Sequence, residues 1–186
     1  MARIGVSKPV YASYAMSGST VVYGGATSMG KATSFDISLD SSEANNLYAD
    51  NAIAETDNTF NGGTVTLGLA DLDDAALVAV LGVTQSSGEL IFKSGASAPY
   101  VGIGGIIKHQ INNVDKYTGI ILPKVQFSDP GISVTTQGES IEWQTPEITA
   151  TIMRDDTTDQ VWRRQKTFDT EASAQSYIST FFAASN

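Results

Sequence analysis

The chain turns on Gly62-Gly-Thr-Val-Thr-Leu-Gly-Leu-Ala-Asp-Leu-Asp-Asp-Ala-Ala-Leu-Val-Ala-Val-Leu-Gly82, where the hydrophobic period changes in mid-course. Thr64 to Leu69 alternates polar and apolar residues, the period-two pattern of a half-buried strand. From Asp71 the period becomes helical, with Leu72, Ala76, Leu77, Val80 and Leu81 on one stripe. Asp71 is placed to cap the first turn, and Asp73 and Asp74 suit the positive end of the helix dipole. Gly82 can close the helix in the left-handed conformation. A strand is therefore expected to run straight into a helix over about 71–81, which plugs or flanks a sheet core.

Strand patterns dominate on both sides of this unit. Residues 4–15 alternate loosely and read as one or two short strands broken at Pro9. The glycines of 16–30 surround Thr20 to Tyr23 as a hairpin or an exposed loop. Phe35, Ile37 and Leu39 alternate with Ser34, Asp36 and Ser38 as a one-sided strand. Asp40 to Gly63 is the least regular stretch. Its apolar islands Leu47 to Ala49 and Ala52 to Ala54 flank the turn pair Asp50-Asn51, so it forms a hairpin or a long projecting loop. Further on, Val83 to Gly88 is turn-like and Glu89 to Lys93 a short strand. Tyr100 to His109 and Lys116 to Phe127 read as one long hairpin turning near Asn112-Asn113. Ile132 to Val134, Ser140 to Trp143 and Glu147 to Met153 are further strands. A last helix over about 170–183 is capped by Asp169 or Thr170 and carries Ala174, Tyr177, Ile178, Phe181 and Phe182 on one face. The expectation is a single, mainly β domain over 1–186, with an arm at 40–61.

The 186 residues suffice for one sizeable core, and the absence of cysteine removes disulfides and thiol chemistry. The N-terminal residues hold no apolar run of signal-peptide length and no segment approaches a membrane span, so no membrane insertion is expected. The chain is expected to be made in a cytoplasm and not to leave it by an N-terminal signal.

Charge is more informative than its total of −9, because it is partitioned. No Lys or Arg lies between Lys31 and Lys93, an interval that holds ten of the 20 acids: Asp36, Asp40, Glu43, Asp50, Glu55, Asp57, Asp71, Asp73, Asp74 and Glu89. Such a face repels nucleic acid, whose binding requires cations. It can equally be a solvated surface that aids solubility.

No catalytic or cofactor motif emerges. Gly102-Ile-Gly-Gly-Ile-Ile-Lys108 continues as a strand, so no helix N-terminus is available to meet a phosphate; its glycines suit a bend or a close approach of another backbone. His109 is the one histidine and has no evident nucleophile or orienting partner. The Asp155-Asp156…Asp159 group lacks the central glycine and terminal glutamate of a calcium loop. Arg163, Arg164 and Lys166, near Trp162, are too few for a nucleic-acid patch. They suit ion pairs with the acidic interval of a neighbouring subunit.

In order and spacing, several short segments resemble the major tail, or tail tube, proteins of long-tailed bacteriophages with non-contractile tails. They are Leu47-Tyr48-Ala49-Asp50, Gly62 to Leu72, Ala98-Pro99-Tyr100-Val-Gly-Ile-Gly104, Gln144-Thr-Pro-Glu-Ile-Thr-Ala-Thr-Ile-Met-Arg-Asp155 and the terminal aromatic helix. The resemblance implies a β-sandwich or barrel-like domain with a flanking helix. It also implies hexameric rings stacked into a virion tube, assembled in the bacterial host, that conducts DNA without specifically binding it. Implied partners are further copies of the chain, a tape-measure protein, a tail terminator and tail-tip proteins; no cofactor, metal or enzymatic activity is implied. On this reading Asp36, Asp40, Glu43, Asp50, Glu55 and Asp57 face the lumen. Leu47, Tyr48, Ile53 and Phe60 on the arm, and Ile103, Ile107 and Ile121 on the long hairpin, contact neighbouring subunits. The rival readings are another tube- or terminator-type β-domain of a phage tail or type VI secretion-like machine, and a cytosolic β-barrel that binds a small ligand.

Overall fold

The computed structural model describes residues 2–40, 45–49, 52–57, 59–131 and 145–183. In chain order these form β1 (Ala2–Ser17), β2 (Thr20–Tyr23), β3 (Thr27–Ser28), β4 (Lys31–Leu39), β5 (Asn45–Ala49), β6 (Ala52–Asp57) and β7 (Gly63–Asp71). There follow α1 (Asp74–Leu81), β8 (Thr84–Ser86), β9 (Glu89–Ile91), β10 (Tyr100–Ile111), β11 (Val114–Phe127), β12 (Glu147–Met153), β13 (Arg164–Phe168) and α2 (Glu171–Ala183). The fold is mainly β, with a large antiparallel sheet and two helices. The strands expected at Ile132 to Val134 and Ser140 to Trp143 lie outside the described residues.

Local chemistry sets the turns. Asn112 and Asn113 adopt φ of 50° and 62°, the conformation of a tight hairpin turn that asparagine tolerates, and β10 pairs with β11 from Tyr100–Gln126 to Ile111–Val114. Residues 4–15 are not broken at Pro9. β1 runs through it as one strand, because Lys8 takes φ of 50° and the register to β10 slips between Ser7 and Val10. This bulge removes the need for an amide donor at Pro9, whose carbonyl accepts from the Met29 amide at 2.9 Å.

The main sheet runs β2-β1-β10-β11-β12-β7-β4, with β13 added to β11 and β3 to β1. It curls over itself: Phe35 on the terminal strand β4 lies over Gly105 on β10, although three strands separate them in sheet order. The concave face encloses one core, built from Val65, Leu67 and Leu69 of β7, Val101 and Ile103 of β10, Leu122 and Val125 of β11, and Ile148, Ala150 and Ile152 of β12. Helix α1 seals it with Ala76, Val80 and Leu81. On the opposite face of β1, β10 and β11, helix α2 covers a second core with Ala174, Ile178 and Phe182.

The strand-to-helix unit forms with one displacement. Asp71 ends β7, and the cap is Asp73, which has extended φ and ψ and accepts from the Ala75 amide. Leu72 thus belongs to a connector, half-buried against the first core. Gly82 closes the helix at φ of 68°, as expected. At α2 the cap is Thr170, whose Oγ1 accepts from the Ser173 amide at 3.2 Å. Within the 40–61 segment, β5 pairs antiparallel with β6 in a two-stranded sheet of its own, apart from the main sheet.

Candidate functional site

The glycines of β10 are a seat for α2. A Cβ on Gly102 would lie 2.5 Å from Cε1 of Phe182, and one on Gly104 2.6 Å from Cγ2 of Ile178. On the neighbouring strand, a Cβ on Gly119 would come 3.3 Å from the Ala174 carbonyl oxygen. The helix therefore fills the space that side chains would take, and the glycine run serves packing.

Polar groups near this seat are occupied structurally. Asp155 is buried, and its Oδ1 accepts from Thr157 N, Thr157 Oγ1 and Val161 N, which fixes the loop before β13. Asp156 Oδ2 accepts from Lys124 Nζ and from Tyr14 Oη, each at 2.7 Å. The Lys124 hydrogen bond, followed by that of Tyr14, holds the Asp156 carboxyl below its ordinary range. Burial, aided by Asp156, raises the Tyr14 phenol far above its usual value, so it stays a donor. Tyr23, raised mainly by burial, donates to the Pro123 carbonyl at 3.2 Å. His109 is 1% exposed; its Nδ1 lies 3.5 Å from Thr118 Oγ1, and Nε2 has no partner among the described residues. The buried ring thus meets a threonine hydroxyl. No group of metal-ligating side chains capable of holding an ion occurs among the described residues.

The larger surface features are strand edges. β13 pairs only with β11 and presents one unpaired edge among the described residues, whereas β4, paired with β7, has β1 close on its other side. Lys31 and Asp36 are exposed on β4, and Asp40 just beyond it. Arg164 and Lys166 are exposed on β13, immediately after exposed Arg163. Four lysines are ion-paired within the subunit: Lys8 to Glu171, Lys108 to Asp115, Lys116 to Asp169 and Lys124 to Asp156. Arg163, Arg164 and Lys166 have no carboxylate partner among the described residues. They lie over aromatic rings instead, Arg163 on Trp162, Arg164 on Phe181 and Lys166 on Phe168, at 4.6, 5.4 and 5.4 Å from the ring centres. Between β13 and α2 opens a shallow groove of about 440 Å³, floored by Phe168, Tyr177 and Phe181 and edged by Lys166.

The acids expected to face a lumen are distributed unevenly. Asp36 and Asp40 are exposed, Glu55 and Asp57 belong to β6 without described side chains, and Glu43 and Asp50 lie outside the described residues. Of the expected contact residues, Leu47 and Tyr48 lie on β5 and Ile53 on β6, again without described side chains. Two expectations are overturned. Ile103, 1% exposed, is in the core under α1, and Ile121, fully buried, is under α2, so neither offers a side chain to a neighbour. Ile107 is half-buried. Phe60 stacks on Trp162 at 4.3 Å and lies near the Arg154 guanidinium, so one face of its ring is used within the subunit. Arg163, Arg164 and Lys166, the cations expected to meet a neighbouring subunit, thus lie on and beside the β13 edge, while the groove beside them carries no signal in the sequence. No protein-family model matches the chain, and no curated protein matches it in sequence.

Proposed function

We propose that this chain is a structural subunit that assembles with copies of itself into rings and a hollow tube, as a phage tail tube protein does. The observation that carries the reading is the unpaired edge of β13 with its three cations unmatched by any carboxylate among the described residues, set against an interval of ten acids without a base. A contact between unlike patches is heterologous, so it repeats around a ring or along a tube rather than stopping at a dimer. The β5–β6 hairpin adds to this support, because an isolated two-stranded ribbon is marginal in water and gains from pairing or packing elsewhere. The base-free interval would give such a tube an acidic wall along which DNA slides without sticking. Tape-measure, terminator and tip proteins would then define its length and ends, and the virion tail would be its place of action.

Negative-stain imaging of concentrated, purified protein tests the proposal. Stacked rings or hollow tubes are expected. A persistent monomer across salt and concentration overturns it, and single rings that never stack favour a terminator-like role.

A further inference from the structure

Resting on that self-assembly reading, we infer that the free edge of β13 seats strand β6 of a neighbouring copy, so that the β5–β6 sheet of one subunit extends the main sheet of the next. Vacancy exists on both sides of this contact. Among the described residues β13 pairs with β11 alone, and β5 and β6 pair with each other and with no strand of the main sheet. β6 has six residues and β13 five, so the two edges match in length. The pairing of β6 with β5 slips between Leu47 and Tyr48, which sets Ala54 apart as a bulge residue. Beyond it, Glu55, Thr56 and Asp57 keep a regular register with Leu47, Asn46 and Asn45. Strand addition of this kind supplies affinity through the backbone, while side chains choose the partner. A two-stranded sheet gains much from a third strand, being marginal alone.

Charge selects β6 among the strands available. Lys166 stands opposite Gly119 and Arg164 opposite Ile121, so both lie on the α2 side of the sheet, and Lys166 edges the groove there. Neither has a carboxylate partner among the described residues. Glu55 and Asp57 are alternate positions in the regular part of β6, and so share one face of that strand. Both pairs are spaced by two residues, so two carboxylates meet two cations whichever way β6 runs along β13. No base lies between Lys31 and Lys93, so nothing in the β5–β6 sheet repels the β13 edge. The other strands fit less well. β5 is uncharged, β9 offers three residues with Glu89 as its one acid, and β4 carries Lys31 as well as Asp36 and has β1 beside it. The seam moves Glu55 and Asp57 from the channel wall to the subunit boundary, leaving the other acids to the wall.

The chain has no cysteine, so an engineered disulfide can report the seam directly. D57C protein, mixed under assembly conditions with R164C or with K166C and gently oxidised, should crosslink to R164C if the strands run antiparallel and to K166C if they run parallel, with no such product from any variant alone. Charge exchange gives a second readout, with assembly followed by light scattering and negative stain and folding by circular dichroism. R164E/K166E and E55K/D57K should each fold and raise the concentration needed for assembly by about tenfold or more. The variant carrying both exchanges, E55K/D57K/R164E/K166E, should recover most of that loss, and added salt should narrow the differences. If wild-type rings form but neither crosslink appears and neither reversal affects them, the seam is wrong while self-assembly stands. If R164E/K166E impairs assembly and E55K/D57K does not, β13 meets another occupant and the β6 assignment is overturned. If E55K/D57K alone impairs it, β6 seats elsewhere and β13 is not its partner. If wild-type protein never associates, self-assembly itself fails, and the seam with it.

Discussion

Helices α1 and α2 each close a core of the same curled sheet, by opposite means. α1 is secured at both ends: Asp73 caps the start, Gly82 turns the chain left-handed at the finish, and Ala76, Val80 and Leu81 are buried between. α2 is secured along its length, on strands whose side chains have been removed to make room. Phe182 and Ile178 occupy the space over Gly102 and Gly104, and Ala174 lies against Gly119. The strands under α2 therefore admit nothing larger than glycine at Gly102 and Gly104 without displacing Phe182 or Ile178.

The largest expected effect breaks the α2 side of that contrast. Phe182 is fully buried among Tyr23, Phe181 and the Gly102 strand, so Phe182→Ala should cost about 3–5 kcal/mol in urea unfolding. Next is Gly102→Ala, expected to cost about 1–3 kcal/mol because its methyl group meets the rigid rings of Phe182 and Tyr23. Combining it with Phe182→Leu should cost less than the sum of the two single changes. Strict additivity would show that the glycine is not the seat.

On the α1 side the effects are smaller and local. Gly82→Ala places a methyl group at φ of 68° and should cost about 1–2 kcal/mol, with Gly82→Asn milder. Asp73→Ala should cost about 1 kcal/mol, and Asp71→Ala clearly less, as thermal melting of the three variants would show.

The smallest effect concerns the Tyr14–Asp156–Lys124 cluster beside the α2 core. The folded Asp156 pKa lies below its ordinary 3.8, so the cluster stabilises the fold above that value and loses its contribution as pH falls through the depressed folded pKa. Asp156→Asn should therefore cost less than about 1 kcal/mol at neutral pH, since the carboxylate is partly exposed, and the gap to wild type should shrink in acid. A gap that widened below pH of about 4 would contradict the assigned direction.

These contrasts also show what was legible before folding. Periodicity located both helices and the long hairpin, because an amphipathic stripe and an Asn-Asn turn are local signals. The cap moved from Asp71 to Asp73 because β7 continues two residues further in pairing with β4, which only the register reveals. Pro9 looked like a break because a bulge, with Lys8 at positive φ, is invisible to alternation counting. Ile103 and Ile121 looked like offered edge residues because both faces of β10 and β11 are apolar. One face meets the concave core and the other meets α2, and no pattern within the hairpin distinguishes that from exposure. The β13 edge was hidden for the converse reason. Arg164 to Thr167 is polar on both faces, and a strand that buries almost nothing carries no period.

The lateness of β13 and α2 in the chain has a consequence for timing. β1 pairs with β10 across about a hundred intervening residues, and β13 and α2 follow every other described element. During synthesis the glycine face of β10 would stay uncovered, and β13 would not exist, until these two elements emerge. Any contact made through the basic edge, as proposed, would wait until that strand is made.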